Sequence, residues 1–385
     1  MGRGRRLQKA GRVRQERDRK DPGGRTAREC GQMGKRTVYK MTAAVILACL
    51  TMSLAGCADQ LSEEDGSGDR LKIVCTVFPE YDWVRQILGE HAEDAELTLL
   101  MKNGADLHSY QPTVWDIRKI AEADLFLYVG GESDFWVEEV LAGAPDPERK
   151  VLNLMEILEG SVQEEEHVEG MQAERGHDDD PEPPESHPDT GGSCSIHDHA
   201  DGEYDEHVWL SLRNAGSVCD AVTEALGSLK EEHADSYIKN NGIYQEKLHA
   251  LDLRYARAVE AAPSPVLLFG DRFPFLYLTK DYGIAYYAAF AGCSAETEAS
   301  FATIAFLADK AGELGLPAVL AMDGSDQKIA RTIAENTDTR DQKVLVLDSM
   351  QSVSEADIRE GTDYLSIMEK NLTVLEEALG IQGGM

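Results

Sequence analysis

Two histidine-bearing segments carry the strongest chemical signal in the chain. In Ala105-Asp106-Leu107-His108-Ser109-Tyr110-Gln111-Pro112-Thr113 the imidazole stands in a loop after a short apolar run. Pro112 opens the helical pattern that follows, at a position where a missing N–H costs nothing. That placement puts His108 near the carboxyl end of a parallel strand, where open α/β sheets bind ligands. In Asp205-Glu206-His207-Val208-Trp209-Leu210 the second imidazole ends a polar stretch just before structure resumes. Taken singly, each reads as a loop histidine hydrogen-bonded to backbone. Taken together, in a chain whose charge favours cations, they bring metal ligation level with that bland reading.

Five of the ten histidines, His167, His177, His187, His197 and His199, lie within Glu159 to Glu206, a stretch almost devoid of large apolar residues. His197-Asp198-His199 alternates imidazole and carboxylate donors, so the segment reads either as a low-affinity metal collector or as a solubilising spacer. The seven cysteines (30, 49, 57, 75, 194, 219 and 293) show no zinc-ribbon or CxxC spacing. Cys75 and Cys219 sit in apolar patterns and read as buried free thiols. There is no Gly-rich phosphate loop, GxSxG elbow or HExxH helix, so catalysis has no support and no enzyme is expected.

The 385 residues suffice for about two domains, and 42% apolar content rules out wholesale disorder. The formal charge is -32, with 14 of the 38 Lys and Arg but only 4 of the 70 Asp and Glu in residues 1–56. The remainder therefore carries -42. Such a body repels nucleic acid and anionic headgroups, and its electrostatic partner should be a cation.

The elements that must position the histidines alternate. Strand patterns fall at Leu71–Phe78, Leu97–Met101, Leu125–Val129, Val266–Phe269, Ile284–Ala288, Ala318–Met322 and Lys343–Leu347. Helical patterns occupy Pro112–Ala123, Ala215–Leu229, Ala302–Leu314, Gln327–Glu335 and Asp363–Leu379, which argues for parallel sheets covered on both faces. Glu231 to Ala261 predicts one helix of about 45 Å, long enough to cross a two-domain protein. Glu159 to Glu206 cannot repay its ordering entropy by burial and is expected to be a disordered insertion.

At the N-terminus, Met33 opens a basic stretch followed by the apolar run Met41 to Gly56, the tripartite shape of a secretory signal. It ends at Leu54-Ala55-Gly56-Cys57, which resembles a bacterial lipoprotein cleavage box, with Cys57 as the lipidated first residue of the mature protein. The Arg-rich segment before Met33 suits no signal peptide, and Met33 is the expected start.

The segments LHSYQPT and DEHVWL resemble the motifs that supply the first two metal ligands in the solute-binding lipoproteins of zinc and manganese ABC importers. The Cys57 box, the long central helix and the His- and acid-rich insertion are similar to that family too, and the resemblance covers Leu71 to the C-terminus. It implies two (β/α) lobes with parallel sheets, joined by one long helix, with a metal cleft between them. The expected divisions are residues 1–56 as signal and extension, 57–70 as lipid-anchored tether, 71–230 as N-terminal lobe with insertion 159–206, 231–262 as linking helix and 263–385 as C-terminal lobe. The implied function is a monomeric receptor on the extracytoplasmic face of the cell membrane that delivers Zn2+ to the importer's ABC permease. Mn2+ is the alternative cargo, and a surface adhesin with a degenerate metal site is the alternative class.

Here the chain departs from the family. Aligning Phe275, Tyr277, Leu278 and Tyr282 puts Arg272 where the family has its third ligand, and a guanidinium has no lone pair to give. Asp271 is expected to take that role, with Arg272 pairing a nearby carboxylate, or else to cap the helix that follows. The fourth ligand implied by the family is Asp348, after the strand Lys343–Leu347, with a turn aspartate as the other reading. Asp323 is second choice for that role and reads as well as a turn and cap.

Overall fold

The computed structural model describes residues 70–102, 104–172, 204–294 and 298–381. Cys57, Cys194, His177, His187, His197 and His199 lie outside the described residues. In the first half, β1 (Leu71–Cys75), β2 (Ala95–Leu99), β3 (Leu125–Tyr128) and β4 (Lys150–Asn153) form a sheet in the order β2-β1-β3-β4. In the second, β5 (Val266–Phe273), β6 (Ala285–Ala291), β7 (Ala318–Met322) and β8 (Lys343–Leu347) form another in the order β6-β5-β7-β8. Every pairing is parallel, with Ile73 set between Leu97 and Leu125. The strand order reverses at β1/β3 and at β5/β7, and such switch points open a crevice at the carboxyl ends of the strands.

The crossovers are helical: α1 (Phe78–Leu88), α2 (Val114–Ala121), α3 (Trp136–Gly143) and α4 (Leu154–Ile157), then α5 (Leu212–Leu229) and α6 (Ala234–Ala261). The C-terminal half adds α7 (Leu276–Tyr282), α8 (Phe301–Glu313), α9 (Lys328–Asn336), α10 (Glu355–Arg359) and α11 (Tyr364–Ala378). The edge strand β4 was not foreseen. Its Lys-Val-Leu-Asn pattern is short, half exposed and runs straight into α4, so no alternation develops.

Helix α6 buries Tyr237, Tyr244, Leu248, Leu251, Tyr255 and Val259, steps of three, four or seven residues that keep one stripe inward. Each fully buried aliphatic contributes roughly 1.5–3 kcal/mol. The helix is tied to both halves: Asn240 Nδ2 donates to the Ile87 carbonyl at 3.0 Å, and Tyr255 Oη donates to the Met368 carbonyl at 2.6 Å. Beneath the crevice the two halves share one core, where Trp83 meets Tyr364 edge-on at 5.3 Å and Tyr364 Oη donates to the Trp209 carbonyl at 2.7 Å.

The expectation of a disordered 159–206 fails at both ends of that segment. Glu164 and Tyr204 make an antiparallel bridge, and the Gln172 amide donates to the Ala289 carbonyl at 3.0 Å. Val162, Val168 and Met171, among its few apolar residues, pack on the core and offset the entropy of ordering these arms. No helix among the described residues is long and apolar enough to cross a membrane.

Candidate metal centre

His108 lies in a single 3-10 turn, Leu107–Ser109, beyond the carboxyl end of β2. Asp106 caps that turn, accepting the His108 amide at 3.0 Å, so the imidazole projects from a fixed loop. Its Nδ1 stands 2.9 Å from Ser133 Oγ and 3.3 Å from Glu206 Oε2. The Ser133 amide in turn donates to Glu206 Oε1 at 2.8 Å. This packing needs Gly131, which has φ +82° and whose added Cβ would overlap the Glu206 carboxylate.

His207 is fully buried against Trp209, with ring centroids 5.2 Å apart. Asp205 Oδ1 accepts from its amide at 2.8 Å and lies 3.1 Å from its Nδ1. A carboxylate only accepts, so the Asp205 contact puts the proton of His207 on Nδ1 and leaves a lone pair on its Nε2, whereas His108 Nδ1 faces the Ser133 hydroxyl, which can donate or accept. The two Nε2 atoms face one another at 3.3 Å. A tetrahedral zinc with bonds of about 2.0–2.1 Å has N···N edges of roughly 3.3–3.4 Å. At that spacing His108 Nε2 either donates to His207 Nε2 or, with its proton on Nδ1, offers a second lone pair to a cation between the rings.

Cys293 completes the group. Ligand atoms of His108, His207 and Cys293 all lie within 4.8 Å of one another. The thiol follows β6 on a turn whose Gly292 has no room for a side chain. A Cβ there would lie 2.9 Å from the Phe273 carbonyl oxygen and 3.1 Å from Asp205 Oδ2. The Cys293 amide donates to Glu165 Oε1 at 2.9 Å, so an ordered arm of the insertion also helps to seat it.

The electrostatics suit a cation. Burial, and then the charges of Asp205, Glu165 and Glu206, push the Cys293 thiol well up. Burial would raise Glu206 as well, but hydrogen bonds from His108 and Ser133 outweigh it and hold the carboxyl below its ordinary range. Behind the loop, burial and the Asp134 charge push Glu80 up to about 8, and burial lifts Asp134 to about 7.

Asp271, Asp348 and Asp323 belong to no group of three or more such donors among the described residues. Asp271 lines the same cleft as His108, a space of about 910 Å3, but its two oxygens accept the amides of Arg272 at 2.9 Å and Met322 at 3.2 Å. Arg272 reaches across to Asp106 at 2.6 Å. Burial would raise Asp106, yet the bond and charge of Arg272 keep it low. Asp348 accepts the Met350 amide at 2.8 Å, and burial with the Asp323 charge raises it to about 6. Asp323 takes the amide of Ser349 at 2.5 Å and its hydroxyl at 2.6 Å. His167 is exposed on the ordered arm. Cys293 is a candidate ligand that cysteine-to-cysteine spacing does not single out. Its place in a loop just after a strand, like that of His108, was the available signal.

Two parallel α/β lobes pinned by one long helix, with donor side chains gathered where the strands end, define a solute-binding protein built to hold a small ligand between its lobes. The ZnuA family model, zinc-uptake complex component A, periplasmic, matches residues 73–378. The chain belongs to that family. It is 28% identical over 344 residues to the zinc-binding lipoprotein AdcA of Streptococcus pneumoniae, covering 88% of this chain and 61% of AdcA. It is 27% identical over 339 residues to the high-affinity zinc uptake system protein ZnuA of Bacillus subtilis, covering 87% of this chain and 96% of that one. The crystal structure of the Zn(II)-bound ZnuA-like domain of S. pneumoniae AdcA superposes with a TM-score of 0.61 at 26% identity, over 81% of this chain and all of that domain. This chain thus spans about 61% of the length of AdcA.

Proposed function

We propose that this chain is the metal-capturing receptor of an ABC importer, taking Zn2+ into the cleft and delivering it to the membrane permease. The observation that carries the reading is the pair of imidazole Nε2 atoms facing each other at 3.3 Å, each fixed from behind through Nδ1. His108, His207 and Cys293 supply three ligands, and the fourth position stays open to water. Two imidazoles and a thiolate favour zinc, whereas Mn2+ prefers oxygen donors. Asp205, Glu206 and Ser133 orient the imidazoles from the outer shell.

In this reading Asp271 and Asp348 shape the loops of the C-terminal lobe and do not ligate. The Arg272–Asp106 pair joins the lobes beside the ion. A metal entering between them is gripped by His108 and His207 from the first half and Cys293 from the second, so release to the permease requires the halves to part. Lipidation of Cys57 holds the protein, as a monomer, at the membrane where the permease lies, and His167 with the histidines of 173–203 feeds cation to the cleft.

Competition titration with a zinc chelator tests the reading. His108→Ala and His207→Ala should each lose the tight site, while His167→Ala retains it. Equal affinities in all three variants would overturn the proposal.

A further inference from the structure

A second group of donors stands at the other end of the N-terminal sheet. His91 and Asp94 lie in the 3-10 helix Gly89–Asp94 that leads into the start of β2, and His233 ends the 3-10 helix Glu231–His233 that leads into α6. His108 follows the carboxyl end of β2, so the five residues of that strand separate the two groups. Each strand residue advances about 3.3 Å, which puts the length of the strand, roughly 17 Å, between them.

The geometry is that of a partly assembled site. The rings of His91 and His233 stack, centroids 3.8 Å apart and tilted by 22°. Tyr237, buried on α6, meets both rings edge-on at 5.9 and 6.1 Å and fixes them from below. Asp94 Oδ2 lies 3.3 Å from His91 Nδ1 and 4.0 Å from His233 Nε2. The first distance matches the ligand–ligand edge of tetrahedral zinc, about 3.3–3.4 Å, while for the second the His233 ring must turn out of the stack so that its in-plane lone pair meets the ion beside Asp94. On the far side of His91, Glu90 Oε1 lies 4.0 Å from Nε2, placed to accept its proton once Nδ1 ligates.

We propose that His91, Asp94 and His233 form a second divalent-cation site, distinct from the cleft. Two imidazoles and one carboxylate select a borderline ion such as Zn2+ over Mg2+ or Ca2+. The site is open. The Asp94 side chain is 62% exposed, so water completes the coordination, and affinity falls below that of the enclosed cleft. An ion here ties the loop between α1 and β2 to the head of α6, the helix that spans both lobes.

The test is a Zn2+ titration of the purified protein followed by imidazole 15N resonances, with His91 and His233 assigned by substitution. Both signals should shift together and saturate after those of His108 and His207. The double variant His91→Gln/His233→Gln should bind one equivalent fewer while the cleft signals respond as before. Asp94→Asn, which leaves both imidazoles in place, should weaken this site at least about tenfold, the lower end for removing a partner that only orients a ligand. Unmoved His91 and His233 signals in excess zinc, or an unchanged stoichiometry in the double variant, would overturn the proposal. Failure of the cleft reading looks different: the first equivalent would be missing and the second retained.

Discussion

Replacing Cys293 with serine tests the candidate centre most sharply, because this thiol distinguishes it from a pair of facing histidines. Four-ligand zinc sites bind with about 10–16 kcal/mol at neutral pH, roughly 2.5–4 kcal/mol for each ligand. At about 1.4 kcal/mol per decade, loss of one ligand raises Kd about 100- to 1000-fold. Removing an orienting residue such as Asp205 costs only about 10- to 100-fold. On the proposed reading, in which the donor atoms of His108, His207 and Cys293 within 4.8 Å of one another share the ion, Cys293 belongs to the larger class. Serine keeps the size and the Gly292 turn but offers a neutral hydroxyl, so folding should be little changed while affinity falls. Chelator competition gives Kd, and Co2+ substituted for zinc gives a thiolate-to-metal charge-transfer band in the wild type that Cys293→Ser lacks. Unchanged affinity with an unchanged cobalt spectrum would remove Cys293 from the site.

Asp271→Asn should bind zinc like the wild type and lose about 1–2 kcal/mol of stability, since one of the two amides its oxygens accept is left facing an NH2 group; a fall in zinc affinity would instead make Asp271 a ligand. Glu80 is expected to govern part of the pH dependence of folding. Its carboxyl rises from 4.5 to about 8 in the folded protein, so the stability it contributes is complete below about 4.5 and is lost as pH rises through 8. Melting curves of Glu80→Gln should therefore gain on the wild type between pH 5 and 8, and a constant difference across that range would refute the assignment.

Both halves of the centre depend on loops held by their own hydrogen bonds and strand register. Asp106 caps the His108 turn and also takes the Arg272 guanidinium, so one carboxylate sets a candidate ligand and joins the lobes. The register of β5 against β6 shifts between Phe269 and Arg272, a bulge that re-aims the side chains at the strand end. That shift accompanies the placing of Asp271 on backbone amides and of Arg272 on Asp106.

How much of this was legible in the sequence follows from which signals are local. Alternating strands and helices, the single long helix and the histidines of LHSYQPT and DEHVWL are written within short windows, because periodicity and turn chemistry act over a few residues. The family motifs added the two-lobed plan and the cleft, and they placed His108 and His207 in it. The third donor could not be read that way. Cys293 stands 86 residues beyond His207 in the chain, and what brings it there is the parallel order β6-β5-β7-β8, the room left by Gly292 and an insertion arm docked through Glu165. Whether Asp271 and Asp348 ligate is equally beyond the reach of sequence, since a carboxylate that ligates and one that only accepts backbone amides look alike until its neighbours are in place. Local chemistry decided which residues offer donor atoms; packing between distant segments decided which of those atoms meet.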